Sequence, residues 1–328
     1  MSIVVITGAN AGIGRAAVRE FAARGWDVAL LAREEDRLED AAAEVREHGG
    51  RALAIPVDVG DALAVEDAAA RVEAELGPID VWVNNAATSV MGPVLTLEPA
   101  EIKRVTDTTY HGAVFGTLSA LRRMIARNRG TIVQVSSGLA YRSIPLQAPY
   151  CGAKAGIRAF TDSVRAELLH DKRDVKLSVV HLAAFNTPQF SWVRSRLARV
   201  PQPLPPVYQP ELAANAIVWA AQHAPRELNV GWPVAVGRLL HGLVPGLMDR
   251  YVAATAWEGQ QSKDPETTRR PDALDRPVGA SVGAHGAFDD MAKERSVQMW
   301  LATHPRAVLA GALAGLAASL TALRIGRR

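Results

Sequence analysis

Tyr150 and Lys154 stand four residues apart, so a helix puts both on one face. A tyrosine at its ordinary pKa of ~10 is a poor base near neutrality. A fixed ammonium beside it favours the phenolate. Ser137 precedes Tyr150 by 13 residues, and its hydroxyl suits an oxygen on which charge develops. The three side chains point to proton transfer at a substrate oxygen. A second constellation lies near the start, in Thr7-Gly8-Ala9-Asn10-Ala11-Gly12-Ile13-Gly14. Glycines at 8, 12 and 14 leave room for backbone amides to approach a pyrophosphate. The helix that follows turns its N-terminus, with its free N–H groups and positive dipole end, toward that anion.

The intervening pattern explains how such groups are positioned. Apolar runs at Ile3 to Thr7, Trp26 to Ala32, Ala52 to Pro56, Val81 to Val83, Thr131 to Val135 and Val175 to Leu182 read as strands. Helical patterns separate them: Arg15 to Arg24, Glu34 to His48, Ala62 to Leu76, Pro99 to Asn128 and Pro149 to His170. Strand and helix in alternation predict an α/β doubly wound parallel sheet with helices on both faces. The glycine turn then joins the first strand to the first helix. Ser137 follows the fifth strand, and Tyr150 and Lys154 share the helix after it. One more helix is expected at Pro210 to His223. The predicted organisation is a catalytic domain over residues 1–235, with a substrate lid at 188–209, an irregular extension at 236–300 and a hydrophobic helix at 301–328.

The second strand selects the cofactor. A carboxylate at its end would bind a ribose diol and repel a 2′-phosphate. Ala32 takes that place, and Arg33 follows with a guanidinium suited to phosphate. NADP(H) is therefore expected over NAD(H), with Arg15 as an assisting cation. Against this stands an Arg33 paired only with Glu34 or Glu35.

Composition limits the alternatives. The 328 residues carry 37 Lys plus Arg against 34 Asp plus Glu, a net charge of +3, and 5% aromatics. That weak, scattered charge gives no basic stripe for nucleic acid. One cysteine, Cys151, excludes an intramolecular disulfide and a cysteine-based metal site, and no metal is expected. The opening lacks a basic flank and a long apolar core, so the cytoplasm is the expected compartment.

Five motifs in order resemble the short-chain dehydrogenase/reductases over about residues 1–225. They are the glycine turn, Asp58-Val59, Asn84-Asn85-Ala86-Ala87, Ser137 and Tyr150-xxx-Lys154. The resemblance implies an NADP-dependent oxidoreductase on a carbonyl or alcohol, with Tyr150 as proton donor and Lys154 on the nicotinamide ribose. It implies cofactor contacts from Thr7, Gly8, Asn10, Gly12, Ile13, Gly14, Arg33, Asp58, Val59, Asn85, Tyr150, Lys154, Phe185 and Thr187. A homo-oligomer is expected. The other reading is a cofactor-binding regulatory or scaffold protein of the same fold with little turnover.

Two departures bear on catalysis. Thr109 takes the place of an Asn on the long helix, and is the candidate for holding the relay water. Leu182-Ala183-Ala184-Phe185-Asn186-Thr187 replaces Pro-Gly-x-Val-x-Thr, leaving Thr187 and the backbone near Phe185 as nicotinamide contacts. The lid holds Phe190, Trp192, Val193 and Leu197 among arginines, which suits an apolar substrate. Finally, residues 307–323 form 17 positions without a charge, flanked by Arg306, Arg324, Arg327 and Arg328. As a helix they span ~26 Å against a ~30 Å hydrocarbon core. Membrane contact and an Ala-rich docking helix are both open for this segment.

Overall fold

Ile3–Thr7 forms β1, buried at all five positions. Such a strand needs cover on both faces, and the chain supplies it by alternating helices. The computed structural model describes residues 2–266, 270–279, 283–305 and 307–308. After β1 come α1 (Gly12–Ala22), β2 (Asp27–Ala32), α2 (Glu35–Glu47), β3 (Ala52–Pro56), α3 (Ala62–Glu75) and β4 (Val81–Asn84). Next are α4 (Pro99–Thr106), α5 (Gly112–Arg127), β5 (Gly130–Ser137), α6 (Ala148–His170) and β6 (Val175–Leu182). Then follow α7 (Pro210–His223), β7 (Glu227–Val230), α8 (Trp232–Leu243), α9 (Pro245–Gly259) and α10 (Val297–Thr303).

The seven strands form one parallel sheet in the order β7-β6-β5-β4-β1-β2-β3. Val4 of β1 lies beside Val28 on one flank and Val81 on the other. The chain winds outward through β2 and β3, then returns to the far side of β1 with β4. That reversal opens a crevice at the C-terminal ends of β1 and β4, where such sheets bind ligands. Side chains alternate along each strand, so the sheet has two cores. Val4, Ile6, Leu30 and Val83 face α1, α2 and α7. Val5, Leu31, Trp82 and Ile132 face α3, α5 and α6.

The six expected strands and the doubly wound architecture are present. The expected helix over 99–128 is divided. A π-helical turn at Asp107–His111 separates α4 from α5, and it carries Thr109. π-turns widen a helix by one residue and often occur at functional sites.

The segment 236–300 is not irregular throughout. α8 and α9 run from Trp232 to Gly259, each opening with a proline in its first turn, where the missing N–H costs nothing. The lid at 188–209 is tied down by short strands. Arg194–Ser195 pairs with Val90–Met91, Arg199–Pro201 with Gln261–Pro265, and Val207–Tyr208 with both Ala184–Phe185 and Ala292–Lys293. Its arginines form ion pairs: Arg194 and Arg196 meet the buried Glu101, Arg194 also meets Asp272 and Asp275, and Arg199 meets Glu258. Among the described residues, no helix is long and apolar enough to cross a membrane. The charge-free segment lies outside the described residues from 309 onward.

Candidate active site

The turn between β1 and α1 is built around its glycines. Gly8 and Gly12 have φ of +66° and +54°, where a side chain is strained. A Cβ on Gly14 would lie 2.0 Å from the Gly8 carbonyl oxygen. Thr7 joins this turn to β4. Its Oγ1 accepts from the amides of Asn85 and Ala86, at 3.0 Å each, and donates to the Val83 carbonyl. The Asn85 carboxamide donates to the Thr7 carbonyl at 2.9 Å. Gly8, Asn10, Gly12, Ile13 and Gly14 all line one groove. A cradle of this shape, closed to any Cβ and opening on a helix N-terminus, fits a dinucleotide pyrophosphate.

The groove has two chambers. The first, about 140 Å³, is lined by Arg33, Glu34, Arg37, Asp58, Val59 and Trp192 among others. Arg33 does not pair with Glu34 or Glu35. Its guanidinium donates to the carbonyls of Ala273, Leu274 and Asp275, at 2.5, 3.3 and 3.3 Å. Burial, together with the nearby Arg104 charge, lowers its pKa. Glu34 accepts from Arg37 at 2.6 Å and from Asn10 at 3.0 Å. Asp58 accepts from the Gly60 amide at 3.0 Å and from Arg104 at 2.5 Å. Burial pushes its carboxyl up, but these donors and charges outweigh it and hold it below the usual range. Arg15 is not among the residues lining this chamber. It is buried against α2, donating to Glu44 at 2.9 Å.

The second chamber, about 420 Å³, holds the expected chemistry. Ser137 at the end of β5, and Tyr150 and Lys154 on α6, all line it, as do Phe185 and Thr187. The Ser137 hydroxyl meets the Tyr150 hydroxyl, accepts from the Leu139 amide at 3.1 Å and donates to the Leu182 carbonyl at 3.5 Å. Lys154 is 2% exposed and donates to the Val135 carbonyl at 2.8 Å, with its Nζ 5.5 Å from the Tyr150 ring centre. Burial pushes its pKa down to about 7.

The expected lowering of the Tyr150 pKa by Lys154 is absent. Burial, with the neighbouring Cys151, raises the phenol above its ordinary range, and the Ser137 bond offsets only part of that. Desolvation is the largest cause, and it favours the neutral phenol. Tyr141 points elsewhere and donates to Glu227 at 2.6 Å.

Thr109 is fully buried and makes two bonds to one residue. Its Oγ1 accepts from the Thr88 amide and donates to the Thr88 carbonyl, both at 3.0 Å. The hydroxyl therefore clamps the loop after β4, whose Thr88 and Ser89 line the first chamber. Thr187 packs beside Gly12, 3.4 Å from the position a Cβ would take. The Thr187 amide donates to the Phe185 carbonyl, which fixes this loop without the missing Pro and Gly.

Several lining residues lay outside the motifs. Val234, Gly237, Met248 and Val252 from α8 and α9 wall the second chamber, with Pro203 to Pro206 of the lid. The prolines at 233 and 245 are the signal that marks those two helices. Ala273, Pro277 and Val278 wall the first chamber. No sequence pattern marks them or Arg104, because a single carbonyl or guanidinium contact leaves no periodicity.

Comparison with known proteins agrees with this geometry. A family model described as short chain dehydrogenase matches residues 2–197. An uncharacterized oxidoreductase, YxnA, of Bacillus subtilis is 31% identical over 98% of this chain and 90% of its own length. Dehydrogenase/reductase SDR family member 7B of Bos taurus is 29% identical over 80% of this chain and 83% of its own. Among solved structures, an alcohol dehydrogenase from Thermococcus sibiricus complexed with 5-hydroxy-NADP superposes with a TM-score of 0.60. It is 27% identical and covers 70% of this chain and 95% of its own. A short-chain dehydrogenase from Streptomyces avermitilis gives a TM-score of 0.65 at 25% identity, covering 78% of this chain and 98% of its own. With the glycine cradle, the Ser137, Tyr150 and Lys154 cluster and a match over most of the sheet in agreement, the chain belongs to the short chain dehydrogenase family of nicotinamide-binding oxidoreductases.

Proposed function

We propose that the protein is an NADP-dependent reductase of apolar carbonyl compounds, with Tyr150 as the proton donor. The observation that carries this reading is the placement of Ser137, Tyr150 and Lys154 in the larger chamber. That chamber's outer wall is mainly apolar. Apart from Lys154, its one charged lining side chain among the described residues is Arg142, which donates to Asp249 at 2.7 Å. A paired arginine offers little to a substrate anion, whereas Phe190, Leu204, Val234 and Met248 offer apolar cover.

Bound NADPH supplies the hydride. Ser137 holds the substrate oxygen and stabilises the charge that builds on it. Tyr150 passes its phenolic proton to that oxygen. A phenol held above its ordinary range is protonated at neutral pH, the state a proton donor needs. Lys154 orients the ribose and sits against the tyrosine ring.

Arg33 supports the preference for the phosphorylated cofactor. The guanidinia of Arg33 and Arg37 line the first chamber with the carboxylates of Glu34 and Asp58, and Arg104, outside the lining, bonds Asp58. Three cations then stand against two carboxylates, which favours an added phosphate. The neighbour from Thermococcus sibiricus, complexed with an NADP derivative, supports it too.

The test is turnover of purified protein with NADPH and with NADH against apolar aldehydes and ketones of graded size. NADPH oxidation that rises with substrate bulk is the expected outcome. Binding of both cofactors without turnover of any carbonyl or alcohol would leave the regulatory reading in its place.

A further inference from the structure

The C-terminal region crosses the cofactor groove twice, and at each crossing it satisfies a donor that the proposed cofactor would need. We propose that residues 270–279 and 283–289 form an intramolecular competitor for the cofactor. In this role the carbonyls of 273–275 stand in for a 2′-phosphate at Arg33, and the Gly283 carbonyl stands in for a pyrophosphate oxygen at Gly12. The inference rests on the NADP reading above.

The first crossing is anchored from both sides. Arg33 donates to the three carbonyls of Ala273, Leu274 and Asp275. Arg104 adds a bond to Leu274 at 3.1 Å. The Ala273 amide donates to the Trp192 carbonyl at 3.0 Å, and Arg194 holds both Asp272 and Asp275. The Leu274 side chain is 1% exposed and packs with Val90, Leu97 and Val105, against which Tyr150 also rests. Carbonyl oxygens converging on a guanidinium offer the same acceptor chemistry as phosphate oxygens, without the charge.

The second crossing meets the helix that receives the pyrophosphate. The Gly12 amide at the start of α1 donates to the Gly283 carbonyl at 3.2 Å. The next residues are fixed on Asn186, which precedes Thr187. Asn186 accepts from the Phe288 and Gly286 amides and donates to Asp289. A Cβ on Gly286 would fall 2.4 Å from the Thr187 carbonyl, so this stretch lies directly on the loop expected to meet the nicotinamide.

A cofactor that takes Arg33 and the Gly12 amide must displace these carbonyls. Its apparent affinity then falls by the fraction of molecules in which they are seated. The effect is asymmetric. Both cofactors compete at Gly12, but only the phosphorylated one competes at Arg33.

Two measurements on the full chain test this. The first is NADPH and NADH affinity of Leu274→Ala against the parent, by fluorescence titration. Loss of the buried leucine unseats the first crossing, and the expected result is about tenfold tighter NADPH binding, with a smaller gain for NADH. The second is hydrogen–deuterium exchange of the unaltered protein, which does not depend on the variant folding. Residues 270–279 should exchange faster with saturating NADPH. Weaker NADPH binding by Leu274→Ala, or slower exchange of 270–279 with NADPH, would show a clasp that closes on the cofactor and overturn the competitor. Unchanged affinity and exchange in a protein that still turns over NADPH would overturn it alone. Failure of the parent to bind either cofactor would overturn both this inference and the function it rests on.

Discussion

The two chambers of the groove differ in kind. The smaller is charged, and every ionic group described in it already has a partner: Arg33 on carbonyls, Glu34 on Arg37 and Asp58 on Arg104. The larger is mainly apolar along its outer wall and holds Ser137 and Lys154 buried, and Tyr150 partly buried, on β5 and α6. The difference separates two tasks. Exchangeable polar contacts suit a ligand that must enter and leave, since each bond made replaces one of similar strength. Buried groups with locked positions suit chemistry, which needs fixed geometry and a dry site. Substitutions in the smaller chamber should therefore change affinity, and those in the larger should change rate.

The largest effect belongs to Tyr150. Tyr150→Phe removes the proton donor and leaves the ring packed where it is. Turnover should fall by ~10²–10⁴-fold, the range for one lost general acid. NADPH affinity should hardly move. Stopped-flow reduction and equilibrium titration on the same sample check both halves. A Phe variant that keeps its rate removes Tyr150 from the mechanism.

Lys154 gives the next effect, and its sign depends on pH. Its pKa is pushed from 10.5 in the free side chain to about 7 by burial. Between those values the unfolded chain holds a proton that the folded chain lacks, so stability rises with pH through that window. Lys154→Met carries no such charge. The variant should gain most over the parent at pH 6, where the parent buries an ammonium, and less at pH 9. The difference between the two gains should be ~2–3 kcal/mol. Denaturant unfolding of cofactor-free protein at the two pH values reads it directly. An equal gain at both would show that no charge is buried there.

How far these groups were readable from sequence follows from how each is made. Ser137, Tyr150 and Lys154 were legible because their spacing is local, a helix face and a strand end. Six of the seven strands were legible for the same reason, β7 being the one missed, as were Gly8 and Gly12, whose backbone conformation glycine adopts freely, and Gly14, where a Cβ has no room. The π-turn at Asp107–His111 was not, because its extra residue leaves the apolar pattern of the long helix almost intact. The carbonyls of 273–275 are beyond any residue-type signal, since every residue has one. The Tyr150 pKa was misjudged for a related reason. Adjacency to Lys154 was readable, but the desolvation that dominates it comes with packing against Val90, Leu97, Val105 of α4 and Leu274, which are distant in sequence.

Arg33 sharpens the comparison at the charged end. Arg33→Ala removes one charged contact to a 2′-phosphate, worth ~1.5–3 kcal/mol or about 10- to 150-fold in affinity for NADPH. NADH should be held no more weakly, because the same change also frees the Ala273 to Asp275 carbonyls from the groove. Rate constants at saturating NADPH should stay near the parent's. Equal losses for both cofactors would mean that Arg33 serves the fold and not the phosphate.

Thr109 lies between the two regions and should show the smallest effect on rate. Its hydroxyl is bonded on both sides to the Thr88 backbone, which leaves it engaged in holding the loop that borders the smaller chamber. Thr109→Val keeps the shape and removes the side-chain partner of the part-buried Thr88 N–H and C=O. The cost should be ~1–2 kcal/mol of stability. Turnover should fall only several-fold, through a loosened loop, with the larger part of the change in KM. Thr109→Ser restores the hydroxyl and should restore both. A true relay would behave in the opposite way. Thr109→Val would then reduce kcat steeply and leave stability and KM close to the parent's. Unfolding midpoints and steady-state kinetics of the three proteins decide between a clamp and a relay, since each assigns the loss to a different quantity.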